Sequence, residues 1–134
     1  MFINISNSPS SKWSKEKLSA AKEIVGEIVD ISLPKVSPDA TEEDIDKLTI
    51  EIFNKVRPKL EGNSNNVMII NGETEILVFS LIIIFQANFP DIKIVEASSS
   101  SELVEKMKND GLYKYFKSTF LKFREYPKFS KYLK

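Results

Sequence analysis

Short apolar runs alternate with longer amphipathic segments along most of the chain. Four runs rich in isoleucine and valine have the length and composition of buried β-strands. Three longer segments carry apolar residues at helical spacing. The predicted strands are residues 2–5, 27–33, 67–70 and 92–95, and the predicted helices are residues 15–25, a segment with an apolar face from 45 to 60, and residues 74–88.

Residues that favour helix ends flank these segments. Ser14 is a good N-cap for the first helix, and Gly26 is placed to stop it. Thr41 and Asp44 have the spacing of a capping box, with Asp where Glu or Gln is more usual. We expect Pro58 to end or kink the second helix, because proline lacks the backbone N–H.

The alternation of strand and helix predicts an α/β fold, a Rossmann-like open sheet of mainly parallel strands in the order β-α-β-α-β-α-β. Helices are expected on both faces, and residues 1–134 are expected to form a single domain. The dense isoleucine and valine content of residues 27–33 suits a buried parallel position in this sheet.

The helix predicted at 74–88 is apolar around almost its whole circumference. Such a helix must be buried on more than one side, whereas an open sheet covers only one. We therefore expect the other side to pack on a second copy of the chain, which makes a homodimer.

The last third of the chain is less regular. Residues 103–108 and 112–124 are rich in aromatic and branched residues and flank Asn109-Asp110-Gly111, so they predict a β-hairpin or further strand. A helix over 101–108 is the competing interpretation. This third also carries eight lysines and Arg124 against three acids from residue 103 onward. That excess indicates either an anionic ligand or a lysine-rich solvated face.

The composition excludes several kinds of chemistry. The chain has no histidine and no cysteine, which removes the commonest general base, thiolate nucleophiles and disulfides. A zinc site is not expected, and no metal or cofactor is predicted. No apolar stretch reaches the roughly 20 residues of a membrane span, and no signal peptide is evident. We expect the protein to be cytoplasmic and to make no contact with a membrane.

Polar residues follow three of the predicted strands, at the sheet edge where ligands of such folds usually bind. Hydroxyls, amides and helix-start N–H groups suit phosphate, ribose and base edges. The candidate site residues are Ser6, Asn7, Ser8, Ser10, Ser11, Lys12 and Trp13 after the first strand, Asn71, Gly72, Glu73 and Thr74 after the third, and Ser98, Ser99 and Ser100 with Ser101 after the fourth.

Each of these residues also has a structural interpretation. A serine after a strand more often caps a helix or closes a turn than binds a ligand. Glu73 suits the positive end of a helix dipole, and Trp13 is more often a lid or core residue than a stacking platform. The coincidence of three polar loops at one edge is what favours a binding site.

Four segments together resemble a group of small stand-alone CRISPR-associated proteins related to CRISPR-associated Rossmann fold domains. They are FINISNSPSSKW at 2–13, the Asn71-Gly72-Glu73 turn before an apolar helix, the Ala97-Ser98-Ser99 block, and FLKFREY at 120–126. The resemblance implies a homodimer that binds a cyclic oligoadenylate, cyclic tetra-adenylate in the first place, across its twofold axis. For some members it implies slow cleavage of that ring, the ring-nuclease activity that ends type III CRISPR signalling.

The chain departs from this group at two positions. Ser8 stands where members often carry a histidine, and Glu102 follows the serine block where a basic residue is usual. Cleavage does not strictly need histidine, because a ribose 2′-OH can attack the neighbouring phosphate when the protein holds the atoms in line.

The enzyme that the resemblance implies is a metal-independent ring nuclease. Ser8, Ser11 and Lys12 are the catalytic candidates, and Arg124 could also stabilise phosphate charge. The remaining candidates would bind the ligand. A non-catalytic sensor or sponge for a cyclic nucleotide and a ligand-free interaction subunit remain alternatives. No long nucleic acid is expected as a partner.

Overall fold

The computed structural model describes residues 1–108 and 111–133. These residues form a mixed α/β fold with one open sheet of five strands, ordered β2-β1-β3-β4-β5, and three α-helices. The strands are β1 (Phe2–Ser6), β2 (Ile28–Ser32), β3 (Val67–Asn71), β4 (Lys93–Lys108) and β5 (Gly111–Glu125), and the helices are α1 (Lys15–Val25), α2 (Glu42–Glu61) and α3 (Glu75–Asn88). The first four strands run parallel, and β5 runs antiparallel to β4.

Strand β1 lies at the centre of the fold. It pairs with β2 on one side and β3 on the other, and all five of its residues are buried. Successive side chains of a strand point to opposite faces. Ile3 and Ile5 accordingly face one core cluster, and Phe2 faces another.

Helices α2 and α3 cover one face of the sheet, and α1 covers the other. The larger core includes Phe53 of α2 and Phe85 of α3, whose ring centroids lie 5.2 Å apart. In the smaller core, Ala21 of α1 joins Phe2, and the half-buried Trp13 and Phe123 pack against them. Helices on both faces are thus confirmed.

Local sequence signals placed both ends of α1 and the start of α2 correctly. The Ser14 hydroxyl accepts a hydrogen bond from the Lys17 N–H, and Gly26 ends α1 with a φ of 79°. Thr41 and Asp44 form the predicted capping box. Helix α2 does not end at Pro58 but continues to Glu61. The last turn of a helix can form around a proline when packing supports it, and the neighbouring Leu60 is buried in the core.

Strand β2 is not the fully buried strand that its composition indicated. It is an edge strand that pairs only with β1, and within it only Ile31 is buried. Composition reports how apolar a strand is but not its position in the sheet. That position depends on where the crossover connections place each strand.

The predicted C-terminal hairpin is confirmed, although residues 109 and 110 of its turn lie outside the described residues. The competing helix over 101–108 is wrong, because β4 and β5 pair along almost their whole length. We expected the serine block to form a loop, but it is part of β4. The β-branched and aromatic residues of β5 offer a continuous partner, so the strand continues through the serines.

The hairpin extends past the rest of the sheet. Val67 of β3 pairs with Lys93 and Ile69 pairs with Val95, after which β4 pairs only with β5. A register shift between Ser98 and Ser99 marks the start of the free part. We call residues 98–108 with 111–120 the arm. At about 3.3 Å per residue, its eleven residues on β4 span roughly 35 Å.

Helix α3 is buried on one side only. Leu77, Leu81 and Phe85 are buried against the sheet and α2, whereas Phe79 is 60% exposed. The protomer thus leaves part of this helix uncovered, as the sequence predicted, and the homodimer stays a prediction.

Among the described residues, no helix is long and apolar enough to cross a membrane.

Two positions on α2, one buried and one exposed, test this packing. Phe53→Ala should lower the free energy of unfolding by about 3–5 kcal/mol, because it leaves a cavity against Phe85. Ile50→Ala, at a position that is 52% exposed, should change it by no more than about 0.5 kcal/mol. Urea denaturation measures both values, and equal losses in the two variants would contradict the burial described above.

Candidate functional site

A small pocket lies at the carboxyl edge of the parallel strands. The loops after β1, β2 and β3 form it, and its volume is about 160 Å³. Its lining residues are Asn7, Leu33, Pro34, Lys35, Val36, Gly72, Glu73, Thr74 and Leu77. Four of the predicted ligand-binding residues thus meet in one place: Asn7, Gly72, Glu73 and Thr74.

Close packing of the backbone shapes the floor of this pocket. A Cβ atom on Gly72 would lie 2.8 Å from Cδ1 of Leu33, so any other residue would require the Leu33 side chain to shift. Leu33 is held in place by its N–H, which donates to the Ser6 carbonyl oxygen at 3.2 Å. Glycine here leaves room for the Leu33 side chain against the start of the loop after β3.

Helix α3 begins at the wall of the pocket. Thr74 is its N-cap, and Glu75 follows in the first turn. The free N–H groups and the dipole of a helix start favour negative charge. Glu73 also lines the pocket and brings a carboxylate to the same region.

Lys35 is a site residue that the sequence reasoning missed. It follows β2 and is the cation among the described residues that line the pocket. The sequence contained this signal, because all parallel strands of a sheet end at the same edge and β2 is one of them. Site residues were predicted only after the first, third and fourth strands, so the loop after β2 and its lysine received no role.

A hydrogen-bond cluster holds the loop after β1. Asn4 is 2% exposed, and its side-chain amide donates to Oδ1 of Asp30 at 2.9 Å and to the Ser8 carbonyl oxygen at 3.1 Å. Asp30 also accepts from the backbone N–H and the hydroxyl of Ser10, both at 2.9 Å. The cluster ties strand β2 to the loop.

This cluster assigns structural roles to two predicted ligand residues. The Ser10 hydroxyl donates to Asp30, and the Ser6 hydroxyl accepts from the Ser8 N–H at 3.0 Å. Both serines are buried. Their side chains shape the turn, which is the more frequent role of a serine after a strand.

The three catalytic candidates lie near the pocket loop but do not line the pocket. Ser8 is exposed, and Ser11 and Lys12 are exposed in a single 3₁₀ turn, Ser10–Lys12. The loop therefore presents them to the outside of the protomer. A ligand held only in the pocket would touch Asn7 rather than these three residues.

Trp13 belongs to the smaller core. Its ring meets Phe2 edge-on with centroids 6.0 Å apart, and Lys17 lies 4.2 Å from the ring centroid. Burial lowers the pKa of Lys17, because water solvates its ammonium group less well there. The tryptophan thus anchors the end of the loop, as its core interpretation predicted.

The remaining candidates lie away from the pocket. Arg124 pairs with Glu96 across the β4–β5 ladder at 2.5 Å. Ser98, Ser99 and Ser100 continue β4 beyond the sheet edge, and Ser99 and Ser100 are exposed. The structure therefore does not bring the serine block into the pocket of its own protomer.

A larger apolar groove adjoins the pocket. It has a volume of about 540 Å³ and lies between the uncovered side of α3 and Tyr126. Gly72 borders both the groove and the pocket. The groove is lined by Ile70, Asn71, Gly72, Glu75, Ile76, Val78, Phe79, Ile82 and Tyr126. Asn71 thus faces this groove rather than the pocket.

The residues of the pocket suit an anionic or hydroxyl-rich ligand. An amide, a hydroxyl, a lysine and a helix start supply hydrogen bonds and positive charge. Among the described residues, no three acidic side chains cluster as a metal site would require. Comparisons with protein-family models, curated proteins and solved structures found no significant match.

The Asp30 carboxyl gives a pH-dependent test of the loop cluster. Burial alone would raise its pKa, but the hydrogen bonds from Asn4 and Ser10 outweigh burial and hold the pKa below its ordinary value. We expect Asp30→Asn to lower the free energy of unfolding at neutral pH by about 1 kcal/mol, since an amide accepts more weakly and the site is partly screened by water.

The direction of the pH effect follows from the lowered pKa. As the pH falls, the unfolded chain takes up a proton near its ordinary pKa of about 3.9, before the folded chain does. The difference between wild type and Asp30→Asn should be full above about pH 5 and shrink below about pH 4. Urea denaturation across this range measures it. Asp46→Asn, an exposed acid on α2, is the matched control and should show a smaller change.

Proposed function

We propose that the chain is a Rossmann-like, homodimeric protein that binds a cyclic oligoadenylate, with cyclic tetra-adenylate as the first candidate. The observation that carries this proposal is a polar pocket at the carboxyl sheet edge directly beside the uncovered apolar side of α3. A dimer formed through that side would bring two such pockets towards one twofold axis. The resemblance of the sequence segments supports the same assignment.

The size of the pocket favours a shared site. A volume of about 160 Å³ is small beside the roughly 300–1,000 Å³ typical of pockets for drug-sized ligands. One protomer would therefore hold only part of a cyclic oligonucleotide. A twofold-symmetric ring presents the same nucleotide unit to each of two pockets, so it matches a pair of small sites.

Each side chain of the pocket has a role suited to a nucleotide. Lys35 and the start of α3 would bind phosphate, because both favour negative charge. The Asn7 amide, which can both donate and accept, would bind a base edge or a ribose hydroxyl. Glu73 would accept from a hydroxyl or an exocyclic amine.

Cleavage would use the ligand's own 2′-hydroxyl. Its oxygen attacks the adjacent phosphorus and loses its proton while the bond from phosphorus to the 5′-oxygen breaks and that oxygen gains a proton. The products are a 2′,3′-cyclic phosphate and a 5′-hydroxyl. Ser8, Ser11 and Lys12 face outward from the loop, where they would contact a ring that extends beyond one pocket. Lys12 would stabilise the negative charge that develops on the phosphoryl oxygens.

A second candidate function is binding without cleavage. The absence of histidine throughout the chain favours it, because histidine is the side chain whose ordinary pKa suits it best to proton transfer near neutral pH. Such a protein would sequester a cyclic nucleotide signal.

Binding is tested by denaturation in the presence of cyclic tetra-adenylate. At about 100-fold over its Kd the ligand should raise the free energy of unfolding by about 2.7 kcal/mol. Lys35→Ala should weaken binding roughly tenfold or more, since it removes a charged contact to phosphate. Lys59→Ala, an exposed lysine near the end of α2, is the matched control and should bind like wild type.

Chromatography of the bound ligand then separates the two functions. Conversion to linear products that slows in Ser8→Ala and Lys12→Ala would support the nuclease. An uncut ring after hours of binding would favour the sequestering protein. Absence of stabilisation by cyclic di-, tri-, tetra- and hexanucleotides would contradict both.

A further inference from the structure

The arm exposes an apolar face that the described residues of its own protomer leave largely uncovered. Leu103 pairs with Phe116 and Met107 pairs with Leu112, and these four side chains share one face of the ribbon. Met107 is 80% exposed and Phe116 is 74% exposed. The Glu105–Lys114 ion pair lies between the two apolar pairs on the same face.

A free ribbon of this length needs support. Beyond residue 98 the arm has only its two strands, and an isolated two-stranded hairpin is marginally stable in water. Packing of one face against another surface supplies the missing burial. The opposite face carries Tyr115 with Lys106 5.8 Å from its ring, a more polar surface suited to water.

We propose that the arm of one copy docks its apolar face in the groove beside α3 of a second copy, so that two arms are exchanged in a homodimer. The groove is apolar, with Ile76 and Phe79 exposed on its helix wall. It also carries Glu75 and, among its described lining residues, no cation. The arm's apolar face brings Lys114 together with Glu105, 3.3 Å away, so its lysine complements Glu75 while the face as a whole carries no net charge.

Buried area favours this occupant. A stable interface covers about 800 Å² on each partner. The exposed large apolar side chains of α3 are Ile76, Phe79 and Ile83, and the first two already belong to the groove wall, so a helix-to-helix contact has little apolar surface of its own. Helix-to-helix contact alone would therefore be weak. Adding an arm and a groove on each side of the twofold axis supplies the remainder, and an isologous contact buries each surface twice.

The arm is long enough to make this contact. The arm spans roughly 35 Å. A globular domain with as many residues as this chain has a radius of gyration of about 14 Å, so the diameter of the domain is comparable to the length of the arm. The arm leaves the sheet at the carboxyl edge, where the groove and pocket also open. This contact extends the homodimer of the proposed function. It rests on that homodimer but does not depend on the proposed ligand.

Sedimentation without ligand gives the first test. Wild type should be dimeric, and Phe116→Asp and Phe79→Asp should each raise the dimer Kd by at least about tenfold. Thr119→Asp places the same charge on the opposite face of the arm and should leave the dimer intact. A wild-type monomer, or a dimer that tolerates both apolar-to-Asp changes, would overturn the proposal.

Cross-linking tests which surfaces meet while leaving the apolar side chains of both surfaces unchanged. The chain has no cysteine, so Glu75→Cys and Lys114→Cys introduce unique thiols. A short bismaleimide should join the two variants when they are mixed and should join neither variant efficiently to itself. Self-linking of Lys114→Cys without mixed product would mean that arms pair with each other and would overturn the proposal.

Ligand binding is measured separately on the same proteins. A dimer that cross-links as expected but binds no cyclic nucleotide would contradict the proposed function and leave the arm contact standing. A dimer that binds the nucleotide but yields no mixed product would contradict the arm contact and leave the proposed function standing.

Discussion

A polar side chain in the most buried strand determines how the amino-terminal loop folds. Asn4 lies between the two cores of the sheet, where an unpaired amide would cost several kcal/mol. Asp30 and the Ser8 carbonyl satisfy it, and Asp30 in turn holds Ser10. The loop is therefore fixed by the interior of the sheet, and its position places Asn7 at the pocket.

The same cluster explains why many hydroxyls at this edge make few ligand sites. Ser6 and Ser10 are engaged within the protein, so they position the loop instead of meeting a ligand. The pocket itself uses residues from three different connections, among them Lys35 and Gly72. A site assembled in this way depends on the register of β1, β2 and β3, which brings the three strand ends level.

Local chemistry made part of this fold predictable. Caps at Ser14 and Thr41 act within one helical turn, so the sequence alone locates them. The edge position of β2, the Asn4–Asp30 bond and the continuation of β4 through its serines depend on residues far apart in sequence. Periodicity carries no information on such pairings. Residues predicted in the loops after β1 and β3 line the pocket, whereas the serines of β4 do not and the loop after β2 was overlooked.

Two uncovered apolar surfaces on one small protomer have a common consequence. The exposed side of α3 borders a groove that shares Gly72 with the pocket, and the arm leaves the sheet at the same edge. A contact that covers the groove would therefore lie next to any ligand in the pocket. Two binding events that share a boundary are thermodynamically linked, and the linkage is reciprocal. If the proposed arm contact orders the loop at Gly72, dimerisation strengthens ligand binding and the ligand strengthens the dimer by the same factor.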